Sequence, residues 1–231
     1  MKPRLAFPRG RTVIGLTGPI ASGKSLALGL FAGEGLLTVS ADALAGQLLT
    51  EPAYFNRIVR KFSPEKILTN GLLDKKKLAA EIFGSPAKRR WLEALLHPGI
   101  LERIHTLIIR SPKTAAVVEV PLLFEAGLGE SFTYTVCLSA PGSTLEARAR
   151  SRGWSAGQYR ERARAQLPAE EKYARADIVL DNSGGRRELA EKIRFICRFL
   201  KETEKRKKNE SATAGRAKIQ QGARPAQRQP R

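Results

Sequence analysis

The chain has 231 residues, 41 of them Lys or Arg and 22 Asp or Glu, for a formal net charge of +19. That length buries a full core and suits one α/β domain carrying an insertion, and the charge points to anionic partners: nucleotides, nucleic acid or acidic membrane surfaces. No apolar run approaches the roughly 20 residues a membrane span needs, the basic start has no apolar stretch of signal-peptide length behind it, and Cys137 and Cys197 form neither a metal spacing nor a disulfide framework. A cytoplasmic protein with reduced core thiols is therefore expected.

Residues 1–11 read as an N-terminal extension ahead of the first strand candidate, Thr12–Thr17. This strand runs into Gly18-Pro19-Ile20-Ala21-Ser22-Gly23-Lys24-Ser25, the phosphate-binding pattern G-x-x-x-x-G-K-[ST], with helix-like Leu26-Ala27-Leu28 behind it. Gly18 and Gly23 allow backbone angles that turn successive N–H groups onto phosphate oxygens. The helix adds its unpaired N–H groups and positive dipole end. In this pattern Lys24 reaches the β- and γ-phosphates and the Ser25 hydroxyl ligates Mg²⁺. The plain alternative is a Gly-rich turn, and the flanking strand and helix argue against it.

Further strand candidates at 36–40, 114–120, 134–139 and 177–180 alternate with helical segments, the signature of a parallel sheet covered on both faces. Residues 51–112 read as helical throughout and are too many for a simple crossover, so a helical insertion over one sheet edge is expected. Within it Leu78, Ile82 and Phe83, then Trp91, Leu92, Leu95 and Leu96, recur at helical spacing and are expected to be core. Ser155 with Gln158 resembles a capping box opening a helix through Ala165. Gly184-Gly185 breaks the chain before a last helix over about 187–201. Residues 201–231 hold ten Lys or Arg, three Glu and almost no large apolar residues. They read as a disordered basic tail, dispensable for catalysis and weakly attractive to polyanions.

Several segments, in order, resemble the dephospho-coenzyme A kinases. They are the phosphate loop at 14–25, Ser40-Ala41-Asp42, Asn70-Gly71-Leu72-Leu73-Asp74, Leu95-Leu96-His97-Pro98, Glu119-Val120-Pro121-Leu122-Leu123-Phe124-Glu125, and Ala176-Asp177-Ile178-Val179-Leu180-Asp181-Asn182. The phosphate loop alone fits dozens of families; the His-Pro and Pro-Leu-Leu-Phe-Glu segments are far narrower. The resemblance implies transfer of the ATP γ-phosphoryl group to the ribose 3′-hydroxyl of dephospho-coenzyme A, the last step of coenzyme A synthesis. It also implies an α/β fold: a three-layer α/β/α P-loop domain over 12–200 with a five-stranded parallel sheet, a helical acceptor-binding insertion (about 51–112) and a lid (about 143–166).

The resemblance further implies ATP contacts from Gly18, Ala21, Ser22, Gly23, Lys24, Ser25, Leu26 and Asn182, acceptor contacts from His97, Pro121 and Leu122, and Mg²⁺ at Ser25 and Glu119. Asp42 matches the base that takes the 3′-hydroxyl proton; its bland reading is a helix N-cap. Arg148 and Arg152, four apart, share one helical face and match the lid arginines that close on the phosphoryl group with Lys24; their bland reading is a solvated basic face, as Arg150 suggests. Glu119 is either a water-mediated Mg²⁺ partner or a polar strand end, His97 an acceptor contact or a satisfied turn histidine, and Asn182 an adenine-side residue or an ordinary turn. The chain departs from the family at Pro19, Ala21, Leu26, Ser40 and Gly46; Gly46 occupies the place of a common arginine. Two other readings stay open: another small-molecule kinase of the same fold, and a basic nucleic-acid-binding P-loop protein. The absence of an Asn-Lys-x-Asp guanine motif counts against a GTPase.

Overall fold

The computed structural model describes residues 7, 8 and 10–222, apart from the side chains of Phe83, Glu204 and 206–222. Seven strands are seen among the described residues: β1 (Thr12–Thr17), β2 (Leu37–Ser40), the short β3 (Leu68–Thr69) and β4 (Leu72–Leu73), β5 (Ala115–Glu119), β6 (Tyr134–Ser139) and β7 (Ile178–Asp181). Five of them form one sheet in the order β2-β5-β1-β6-β7, every pairing parallel. The expected five-stranded parallel sheet is present.

Strand β1 sits at its centre because it is apolar on both faces, as a doubly covered parallel strand must be. Val13 points into a core with Val39, Val118, Ile104 and Phe132. Ile14 and Leu16 point into the other, with Phe31, Val136, Leu189 and Ile193. The α-helices among the described residues are α1 (Lys24–Gly33), α2 (Ala41–Leu48), α3 (Pro52–Lys61), α4 (Pro64–Ile67), α5 (Lys75–Phe83), α6 (Pro86–Arg110), α7 (Gly142–Ser151), α8 (Ala156–Arg164), α9 (Ala169–Arg175) and α10 (Arg186–Gly222). Helices α1 and α10 cover one face of the sheet, α2 and the second half of α6 the other. The capping box at Ser155 and Gln158 opens α8 as expected.

The insertion has its own core of Leu48, Ile58, Phe62, Ile67, Leu78, Leu92, Leu95 and Leu96. It is not helical throughout: β3 and β4 form a hairpin, Leu68 pairing with Leu73 and Thr69 with Leu72. Asn70 (φ 52°) and Gly71 (φ 76°) make the tight turn with both central residues in the left-handed region, the geometry an Asn-Gly pair favours between strands. His97 and Pro98 likewise lie inside α6 rather than in a turn. Helix α6 belongs to both cores, Leu92 to Leu96 packing in the insertion and Ile104 and Ile108 under the sheet.

The last helix continues to Gly222, beyond the expected end near 201, so residues 201–222 are helical rather than irregular. The low apolar content that suggested disorder comes with straight-chain Lys, Glu, Gln and Arg and with Ala, all good helix formers. Residues 223–231 of the expected tail, and 1–6 and 9 of the N-terminal extension, lie outside the described residues. The end of that extension is tied down: Phe7 packs against Phe132 with ring centroids 5.7 Å apart and planes tilted by 43°, and Arg11 donates to the carbonyls of Ser111 and Lys113, each at 2.8 Å. Both cysteines are buried, and burial pushes the Cys137 thiol up to about 12 and Cys197 up to about 11. No helix among the described residues is long and apolar enough to cross a membrane.

Gly99 lets α6 close on α2 and α3. A Cβ there would collide with the Tyr54 hydroxyl, at 3.0 Å from its ring carbon and 3.2 Å from Leu48 Cδ1. Gly99→Ala is expected to lower the unfolding free energy by about 1–3 kcal/mol through overpacking, and Tyr54→Phe in the same chain to restore part of it, as read by denaturant unfolding.

Candidate active site

The loop 18–23 lies at the carboxyl end of β1, where ligands of open parallel sheets bind. Gly18 (φ 145°) and Gly23 (φ 95°) take backbone angles that side chains avoid, and a Cβ on Gly23 would strike the Asn182 amide. Ala21 stands in the left-handed region at φ 62° despite its side chain, a strained position of the sort that collects at ligand sites. Helix α1 starts at Lys24 with no side-chain cap and no acidic residue in its first turn. Its first N–H groups and positive end are therefore open to an anion.

Lys24 Nζ donates to the carbonyls of Gly18 and Pro19, each at 3.0 Å. Burial lowers its pKa to about 8; Glu119 and Asp42 oppose that fall, and the cation of Lys172 adds to it. Glu119 ends β5 and is buried. Loss of solvation raises its pKa and the neighbouring Asp42 adds to the rise, while Lys24 and the hydroxyls of Ser40 and Ser25 hold it down. Ser25 and Glu119 thus share one corner with Lys24.

Asp42 lies in the first turn of α2 but is not its cap; Ser40 Oγ accepts from Ala43 N at 3.4 Å. Its carboxylate is left free, its pKa raised by desolvation and drawn back by Lys24. Asp42 also lines a cavity of about 380 Å³ that holds His97, Pro121 and Leu122. The remaining wall is mostly apolar, with Leu92, Leu96, Ile100 and Ile104, and Arg89 and Glu93 add charge. The residues expected to meet an acceptor therefore share one cavity with Asp42. Beside Gly46, one turn along α2 from Asp42, Lys75 Nζ lies 3.2 Å from where a Cβ would stand.

The other side of the loop is built around Asn182, which is buried. Its Nδ2 donates to Ser22 O at 2.8 Å, its N–H donates to Ser139 O at 2.7 Å, and its own carbonyl accepts from Arg148 Nη2 at 2.8 Å. Arg148 is half-buried while Arg150 and Arg152 are exposed, so it is the one of the three drawn out of solvent. Arg152 caps the end of α7, its N–H donating to Ala149 O at 3.1 Å, while its side chain has no hydrogen bond or ion pair among the described residues. Arg148 Nη1 and Ser22 Oγ are buried without a partner among the described residues. Such orphaned donors are rare in folded proteins. Leu26 is exposed on α1 and brings no hydroxyl to the loop.

Sequence reasoning missed Lys172 of α9, whose side chain is fully buried beneath this site. In the sequence it is one lysine among the charges of a short helix, with no spacing to set it apart.

Loop, lysine, helix terminus and sheet order define a P-loop kinase. A model of the dephospho-CoA kinase family matches residues 12–188. Dephospho-CoA kinase of Gloeobacter violaceus is 37% identical over 176 residues, covering 75% of this chain and 85% of the relative. That of Oryza sativa subsp. japonica is 36% identical over 196 residues, covering 82% and 85%. A crystal structure from Thermus thermophilus superposes with a TM-score of 0.75 at 32% identity over 83% of this chain and 99% of that one. Dephospho-CoA kinase from Campylobacter jejuni gives 0.59 at 26% identity over 80% and 97%. The chain belongs to the dephospho-CoA kinase family.

The low pKa of Lys24 makes nucleotide binding proton-linked. With its pKa lowered to about 8, Lys24 is in part neutral near pH 8.5 in the free protein, and an arriving polyphosphate favours the ammonium. Binding is then expected to take up a proton and to weaken as pH rises through about 8. Calorimetry of ATP binding at pH 8.5 in buffers of different ionisation enthalpy checks the sign; at pH 6.5 the Lys24 uptake should vanish.

Proposed function

We infer that the protein transfers the γ-phosphoryl group of ATP to the ribose 3′-hydroxyl of dephospho-coenzyme A, completing coenzyme A synthesis. The observation that carries this reading is the double position of Asp42, within electrostatic reach of Lys24 and on the wall of the cavity that holds His97, Pro121 and Leu122. A carboxylate there can serve both reactants.

In this reading the N–H groups of the loop and of α1 take the ATP phosphates, and Lys24 leaves the carbonyls of Gly18 and Pro19 for the β- and γ-oxygens. Asp42 accepts the proton of the 3′-hydroxyl as its oxygen bonds to the γ-phosphorus; the bond to the bridging oxygen breaks and ADP leaves. Desolvation lifts Asp42 towards the working pH, which suits a base. Arg148 Nη1 and Ser22 Oγ donate to phosphate oxygens, ending their lack of partners. Arg152 meets the transferring group only if the lid closes further. The corner of Ser25 and Glu119 fits Mg²⁺, a hydroxyl and a carboxylate beside the phosphate loop being what this ion takes alongside substrate phosphates. When bound, it neutralises charge on the β- and γ-oxygens.

Two measurements test the assignment. A coupled ADP-release assay with Mg²⁺-ATP should show turnover that depends on dephospho-coenzyme A, and Asp42→Asn should lower kcat at least about 100-fold with nucleotide affinity kept. ATP binding without acceptor-dependent turnover would sink the named reaction. Lys75, beside Gly46, is expected to face the acceptor's phosphates. Lys75→Met should raise the acceptor KM about five- to tenfold and leave kcat and the ATP KM alone, the pattern of lost ground-state binding.

A further inference from the structure

Beneath the loop, the cavity and the carboxylates lies a cation to which the mechanism above gives no part. The Lys172 side chain has no exposed surface, and an ammonium out of water is costly unless its charge and all its donors are met. It has three N–H donors. They meet Glu125 Oε1 at 2.9 Å, Pro121 O at 3.0 Å and Gln166 Oε1 at 3.1 Å.

These acceptors come from separate parts of the site. Pro121 lines the cavity, and its carbonyl also accepts from Thr17 Oγ1 at 3.3 Å, the residue before the phosphate loop. Gln166 lies between α8 and α9, at the C-terminal root of the segment that carries Arg148. The Glu125 carboxylate that pairs with Lys172 also accepts from the next N–H along that root, Leu167, at 2.9 Å. One buried charge joins the phosphate loop, the acceptor cavity and the lid root.

We propose that Lys172 is a positioning residue for phosphoryl transfer: its ammonium fixes the root of the arginine-bearing lid against the loop after β5 and, through the Pro121 carbonyl, in register with the phosphate loop. The inference rests on the role proposed above for Arg148. A hydrocarbon at this position unties the root while Asn182 and Lys24 still hold the phosphate loop. Arginine is no replacement, because its planar fork cannot send three donors from one nitrogen.

Lys172→Met is expected to lower kcat about 100-fold at saturating Mg²⁺-ATP and dephospho-coenzyme A, the cost of a small misplacement near the reacting group, with both KM values within about threefold. The decisive comparison is the same change in an Arg148→Ala background. There it should cost less than about fivefold, because the group it positions is gone; equal losses in both backgrounds would overturn the proposal. Should Lys172→Met fail to fold, Glu125→Gln, which removes only the partner charge, enters the same cycle and should show the same pattern with a smaller loss. Hydrogen exchange with Mg²⁺-ATP alone gives a readout independent of the acceptor. Residues 156–168 should exchange faster in Glu125→Gln than in the parent while the strands of the sheet do not change; unchanged exchange at the root refutes the inference. Failure of the functional assignment would appear instead as a parent enzyme with no dephospho-coenzyme A turnover.

Discussion

Lys24 is a cation in a place that disfavours cations, and much of the molecule serves to keep it there. Burial draws its pKa down to about 8 and leaves it leaning on two loop carbonyls. The carboxylates that could relieve it, Glu119 and Asp42, are themselves raised by loss of solvation. The site is therefore electrostatically incomplete. A polyphosphate supplies the missing negative charge, and donors already fixed in place lose little in reorganising around it. The constraint explains why three strand ends must converge: β1 delivers the loop, β5 the Glu119 carboxylate, and β2 the turn into Asp42.

Holding that convergence is a matter of shared elements. Helix α6 packs in the insertion with its first half and under the sheet with its second, so the cavity wall and the sheet cannot shift independently. Asn182 does the same on the opposite side, its side chain on the loop and its carbonyl on Arg148 of α7. Single groups with two obligations give precision, at the cost of tolerance to substitution.

What could be read from the sequence divides along physical lines. The phosphate loop was legible because its residue types are set by backbone angles and phosphate chemistry, and the sheet because buried parallel strands are short apolar runs. The hairpin at Asn70-Gly71 was lost inside a long helical pattern, since two-residue strands are too short to show a period of two. The sequence offered a helix N-cap as the alternative role of Asp42, and the structure gives that task to Ser40 instead. Arg148 differs from Arg150 and Arg152 by its burial and its bond to the Asn182 carbonyl, neither of which a run of arginines encodes. Lys172 carried no local signal, because two of its three partners, Pro121 and Glu125, come from a distant segment.

The two cysteines have a meaning beyond packing. Coenzyme A and its dephospho form both carry a reactive thiol, so an enzyme that handles them meets their disulfides continually. Exchange requires a thiolate on the protein within reach of solvent. Cys137, buried within β6, and Cys197, on the buried face of α10, have thiols that burial pushes up and holds from solvent. Burial therefore sets both protein thiols apart from the exchange chemistry open to the thiol of the substrate.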